Sequence, residues 1–162
     1  MKKTIFYALV ITTMAATACS NKSKETDVAG IATSDKTSSG SFTVNGNTMK
    51  GNVSTQYFGS NKATDNFSVL CQQGEPFTLL QATFANETNA KTEGLKPKGG
   101  SYKVNDGEFG LELSTADSDK QFVANEKSGG SLKVEGNKMT ITDMKLFDRD
   151  GKERVVTATI VF

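Results

Sequence analysis

The chain has 162 residues with 19 Lys and Arg against 18 Asp and Glu, a near balance that argues against nucleic acid as a partner, because phosphate binding needs a clear basic excess on one face. It has no His and no Trp, so the commonest general base, the commonest transition-metal ligand and the best sugar-stacking side chain are all missing. The length suits one domain with a single core.

In chain order, the first element is an export signal. Lys2 and Lys3 form a positive start, and Ile5 to Ile11 with Met14 to Ala16 form an apolar run too short to span about 30 Å of hydrocarbon as a helix. The run closes on Ala16, Thr17, Ala18 and Cys19, small residues followed by a thiol. This resembles the bacterial lipobox in a relaxed form, with Ala16 where that family usually has Leu. The resemblance implies removal of residues 1–18 by cleavage between Ala18 and Cys19, and a diacylglycerol with palmitate-type chains on Cys19. Two or more acyl chains anchor a protein stably to membrane lipid, where one does so only marginally. Ser20 follows the cysteine in place of the aspartate that retains some lipoproteins at the inner membrane, so the expected location is the cell envelope, at the outer membrane. Without Lys2 and Lys3 the 19 basic residues become 17 against 18 acidic, a mature chain at −1.

Residues 19–40 are rich in Ser, Thr, Lys, Asp and Gly and lack periodicity, which predicts a tether. A coil of about 20 residues spans roughly 25 Å, enough to hold a domain clear of lipid headgroups. Residues 41–162 then alternate apolar and polar side chains between Gly, Asn and Asp punctuation, the grammar of strands and hairpins. Phe42 and Val44 precede Asn45-Gly46-Asn47, and Met49, Val53 and Tyr57 continue the pattern on the return. Further strands are predicted at Phe67 to Gln72, Phe77 to Phe84, Ser101 to Val104, Glu108 to Ser114, Gln121 to Asn125, Ser131 to Glu135, Lys138 to Phe147 and Arg154 to Phe162. In the strand from Lys138, Met139 and Ile141 keep one phase and Met144 and Leu146 the other, which predicts a bulge near Thr142 and Asp143. The interval Ala85 to Gly100 is read as a crossover between sheets, with a short helical turn within Glu87 to Leu95.

These elements predict an all-β fold, an antiparallel sandwich or barrel of about eight to ten strands. The expected core includes Phe42, Phe67, Val69, Phe77, Leu79, Tyr102, Phe109, Leu111, Phe122, Val134, Ile141 and Ile160. Cys71 shares a strand face with Phe67 and Val69 and is expected to be a buried thiol. Ser41 to Met49 and Ser131 to Met139 share the pattern Ser-x-x-Val-x-Gly-Asn-x-Met, which either a duplication or a reused hairpin solution explains.

The candidate reactive groups have plainer explanations. Asp148-Arg149-Asp150-Gly151 lacks the alternating ligands and distal Glu of a calcium loop and reads as a hairpin turn. Glu108 and Glu112 lie on one solvated strand face rather than across a cleft. No catalytic, metal or cofactor residues are therefore assigned. The expectation is a non-enzymatic binding or structural module, anchored to lipid through Cys19, with an envelope protein as a possible partner. Its rivals are a barrel that carries a small apolar ligand and, further off, a carboxylate-dependent hydrolase.

Overall fold

The computed structural model describes residues 38–162. The expected export signal, with Ala18 and Cys19, and residues 19–37 of the expected tether lie outside the described residues. Ser38 to Gly40, read from sequence as the end of that tether, already belong to the first strand.

The strands are β1 (Ser38–Val44), β2 (Asn47–Tyr57), β3 (Phe67–Gln73), β4 (Thr78–Phe84), β5 (Lys96–Pro97), β6 (Glu108–Thr115), β7 (Phe122–Val123), β8 (Ser131–Glu135), β9 (Lys138–Phe147) and β10 (Glu153–Val161). All but β5 and β8 form an 8-stranded antiparallel barrel in up-and-down order, which closes where β10 pairs with β1, Gly40 opposite Ile160 and Val44 opposite Val156. Closure leaves these strands no long unpaired edge. The two remaining strands fill the seam beside β7, which has only two residues: β5 lies parallel to β6 at Lys96 and Pro97, and β8 forms a hairpin with β9.

Alternate side chains point inward, as a pleated strand requires. Phe42, Val69, Leu80, Phe84, Leu111, Phe122, Ile141 and Ile160 are among those at 1% exposure or less, so side chains fill the barrel interior. An eight-stranded barrel is just wide enough for that. Cys71 is fully buried, and its Sγ lies under Gly40 and Gly51, which face each other in the β1–β2 ladder. The bulge predicted in β9 is present: Met144 pairs with Val156 and Ile141 with Ala158, so Thr142 and Asp143 together oppose Thr157. Asp143 takes a left-handed φ of 45°, and its carboxylate accepts a hydrogen bond from the Thr157 hydroxyl at 3.0 Å.

Three expectations are corrected. Phe77 is 39% exposed and Tyr102 75%, and Leu79 is half-buried on the outer face, because the interior takes the other phase of β4, Leu80, Ala82 and Phe84. Ser101 to Val104 form no strand: Gly99, Gly100 and Lys103 all adopt positive φ and bend the chain, and Lys96–Pro97 holds the β6 edge instead. The interval 85–100 is not a crossover, since β4 and β6 are direct neighbours; it is an excursion with one helical turn, Asn89–Lys91, that lays a strap across the outer wall. The strap passes Gly110, where a Cβ would sit 2.1 Å from the Gly100 carbonyl oxygen, and ends at Asn66, whose side-chain amide bonds both the carbonyl and the N–H of Val104.

The two echoed hairpins are offset by one residue. In the first, Val44 pairs with Asn47 and both turn residues, Asn45 and Gly46, have positive φ. In the second, Glu135 pairs with Lys138, so Gly136 and Asn137 make the turn, and only Gly136 has positive φ. These match the type I′ and type II′ solutions for two-residue hairpins.

Candidate functional site

The barrel has two unlike ends. At the end where β1 begins, the Tyr57, Phe67 and Phe162 rings pack at tilted angles with Phe67 in the middle, centroids 5.2 and 5.9 Å apart, and the Tyr57 hydroxyl donates to Glu87. Burial and then that carboxylate push the Tyr57 phenol up to about 12. The opposite end is open. Its rim carries the β1–β2 turn, the β3–β4 turn, the segment after β6 and the β9–β10 turn, which is built on Asp148, whose Oδ1 accepts from the N–H groups of Asp150 and Lys152 at 2.9 and 2.8 Å.

The last inward layer at this end is polar. Gln73 pairs with Thr78 and Thr78 with Thr115, and Arg154 continues the inward phase of Val156, Ala158 and Ile160. Above them is a groove of about 420 Å³, walled by Val44, Met49, Pro76, Phe77 and Ala116. That volume lies within the 300–1,000 Å³ range of small-molecule sites, and an apolar wall with a few convergent polar groups is their usual construction. The Arg154 guanidinium lies over the Phe122 ring, 5.1 Å from its centroid, and donates through Nη2 to Asp117 Oδ2 at 3.3 Å. Arg154 is mostly covered, with 19% of its side chain exposed, against 69% for Asp117. Asp117 is held below the usual carboxylate range, first by the neighbouring Thr115 hydroxyl and then by Arg154. Thr115 Oγ1 is itself buried, in the lining of the groove.

Two further depressions continue from the groove, bordered by Asp119, Lys120, Asp148 and Asp150, and there Lys120 pairs with Asp150. Glu108 and Glu112 stay on the outer wall, where they accept from Asn105 and from the Ser101 hydroxyl respectively. Glu108 and Glu112 thus have separate partners on the outer wall, whereas Asp148 and Asp150 border the same depressions. Sequence reading overlooked Arg154, Thr115 and Gln73, although the alternation of β10 placed Arg154 on the inward face. Cys19 and Ala18 lie outside the described residues.

The fold defines the class: an up-and-down eight-stranded antiparallel barrel with a filled interior and a groove across one mouth. No family model, no curated protein and no solved structure matches the chain. The barrel is compatible with a binding or carrier module.

Proposed function

We propose that this chain is a bacterial envelope lipoprotein, held in the outer membrane by acylated Cys19, and that its barrel is a non-catalytic binding module whose site is the mouth groove. The observation that carries this reading is the separation of the two ends. β1 enters at Ser38, at the end opposite the Asn45–Gly46 turn that borders the groove, so a tether leading from Cys19 displays the groove away from the lipid. The balanced charge and the absence of His support a binding rather than a catalytic role.

Two measurements test it. Replacing Cys19 by Ala moves the protein from the membrane fraction to the soluble envelope fraction; persistence in the membrane fraction overturns the anchor. A photo-crosslinking residue at position 77 captures the ligand or partner in intact cells, while one on the outer wall at position 112 does not.

The carrier reading survives in modified form. With Leu80, Leu111, Phe122 and Ile160 filling the interior, a small apolar ligand has its place at the mouth rather than within the barrel.

A further inference from the structure

We propose that the mouth groove takes a small organic carboxylate with an apolar body, and that Asp117 occupies the ligand's position on Arg154 when the groove is empty. The inference rests on the reading of the groove as a binding site and adds the chemistry of its ligand.

Among the described residues that line the groove, Arg154 and Asp117 are the only charged ones. Their surroundings differ sharply. Arg154 springs from a core-facing position of β10, pairs across the ladder with Leu146 and rests on the Phe122 ring, so its fork is fixed by packing. Asp117 lies on the loop after β6 with most of its side chain in water, and reaches the guanidinium with one oxygen at 3.3 Å. A guanidinium presents several donors in one plane and binds a carboxylate best through two parallel bonds. One long contact to a solvated aspartate leaves that capacity largely unused.

The rest of the groove suits what a carboxylate would carry. Phe77 and Pro76 stand on one side and Val44 and Met49 on the other, and the Phe77 ring is 39% exposed at the groove. The Thr115 hydroxyl, which stands beside Asp117, lies in the same lining and can donate to the second ligand oxygen once Asp117 has left. The apolar body then lies along Phe77 while the headgroup replaces Asp117, which turns into water with 69% of its side chain already exposed and one 3.3 Å contact to Arg154 to give up.

The competition between ligand and Asp117 makes the proposal testable with variants of opposite sign. Full-length protein is titrated with octanoate, with N-acetylphenylalanine as the mimic of a peptide terminus, and with the neutral amide of each, and binding is followed by calorimetry and by the Arg154 side-chain NMR signals. The expected result is that a carboxylate binds and its amide does not. Asp117→Ala tightens binding by about two- to fivefold, the advantage a surface ion pair holds in competition. Arg154→Gln weakens it by about tenfold or more, and Arg154→Lys, which keeps the stem on Phe122 and the charge, falls between the two. A preference for octanoate over N-acetylphenylalanine identifies a free acid rather than a chain terminus as the source. Equal binding of acid and amide at Phe77 overturns the carboxylate while leaving the groove as a site. Binding unchanged or weakened by Asp117→Ala overturns the placeholder role, and no binding of either acid overturns the proposal.

Discussion

Gly40 and Gly51 lie directly opposite each other in the β1–β2 ladder, and a methyl group added to either would fall 2.9 Å from the Sγ of Cys71. The two positions differ in what else they meet. At Gly51 the added carbon also comes within 2.8 Å of the Gln72 backbone, whereas at Gly40 the neighbours are side-chain atoms of Cys71, Val53 and Ile160. Overpacking of this kind costs about 1–3 kcal/mol. Gly51→Ala is expected at the upper end and Gly40→Ala at the lower. Combining Gly40→Ala with Cys71→Ala recovers part of the loss, and the double Gly51 variant recovers little. Urea unfolding of the four proteins reads the difference.

The same thiol makes stability sensitive to alkali. Burial pushes Cys71 up from its ordinary 9.0 to about 11, and the Gly51 and Gly40 N–H groups offset this only in part. A group that holds its proton more tightly when folded keeps its full stabilising effect below its unfolded pKa and loses it as pH rises through its folded one. Stability is therefore expected to be steady up to about pH 9 and to fall toward pH 11, with a smaller slope in Cys71→Ala. Tyr57, raised to about 12, adds its own loss at the top of this window in both proteins. Denaturation midpoints across this range test the sign. Alkylation of Cys71 at pH 8 should be slow in the folded protein and fast in denaturant.

At the β9 bulge, Asp143 holds a left-handed backbone and is clasped by Thr157 in both directions, donating from its N–H at 3.2 Å and accepting at its carboxylate. Asp143→Ala removes the side-chain half of the clasp while keeping a Cβ in a conformation disfavoured for it, for an expected loss of about 1–2 kcal/mol. Asp143→Asn keeps an acceptor and tolerates the backbone, so it retains most of the stability. Thermal unfolding of the two variants decides the order.

Asn66 joins three segments: its amide donates to the carbonyls of Ala85 at 3.2 Å and Val104 at 2.8 Å, and its oxygen accepts from the Val104 N–H at 3.1 Å. Asn66→Ala leaves partly buried backbone groups unpaired, at about 2 kcal/mol in total. Because the strap ends there, hydrogen exchange should quicken at Val104 far more than in β9. Uniform acceleration across the barrel would show that the strap is not a separable unit.

Much of this architecture was legible because the period-two signal is strong where a strand has one wet face. The bulge at Thr142 and Asp143 was visible as a change of phase, and the burial of Cys71 followed from Phe67 and Val69. Phe77 misled because alternation does not show where pairing ends: the β3–β4 ladder stops at Gln73 opposite Thr78, which leaves Phe77 on the rim. Tyr102 misled because the glycines before it and the positive φ of Lys103 break the strand that its neighbours imitate. Arg154 was passed over because a charge in an apolar phase is easily read as the end of the pattern. Its position two residues before Val156 marks it instead as the top of the interior. The repeated Ser-x-x-Val-x-Gly-Asn-x-Met pattern shows a different limit, since Asn-Gly and Gly-Asn each satisfy a tight turn and the choice between them depends on what the rest of the barrel pairs.

The ladder between β1 and β10 makes the described chain nearly cyclic in space, with Gly40 and Ile160 partners two residues from either end. A short linker joining Phe162 to Ser38, with new termini cut at the solvent-exposed Gly74, would preserve every strand pairing yet bring the polypeptide in beside the mouth. In such a circular permutant the chain would enter the barrel at the groove end instead of the far end. Which end of the barrel lies farthest from the entering chain is thus written in the connectivity of the strands and not in the barrel itself.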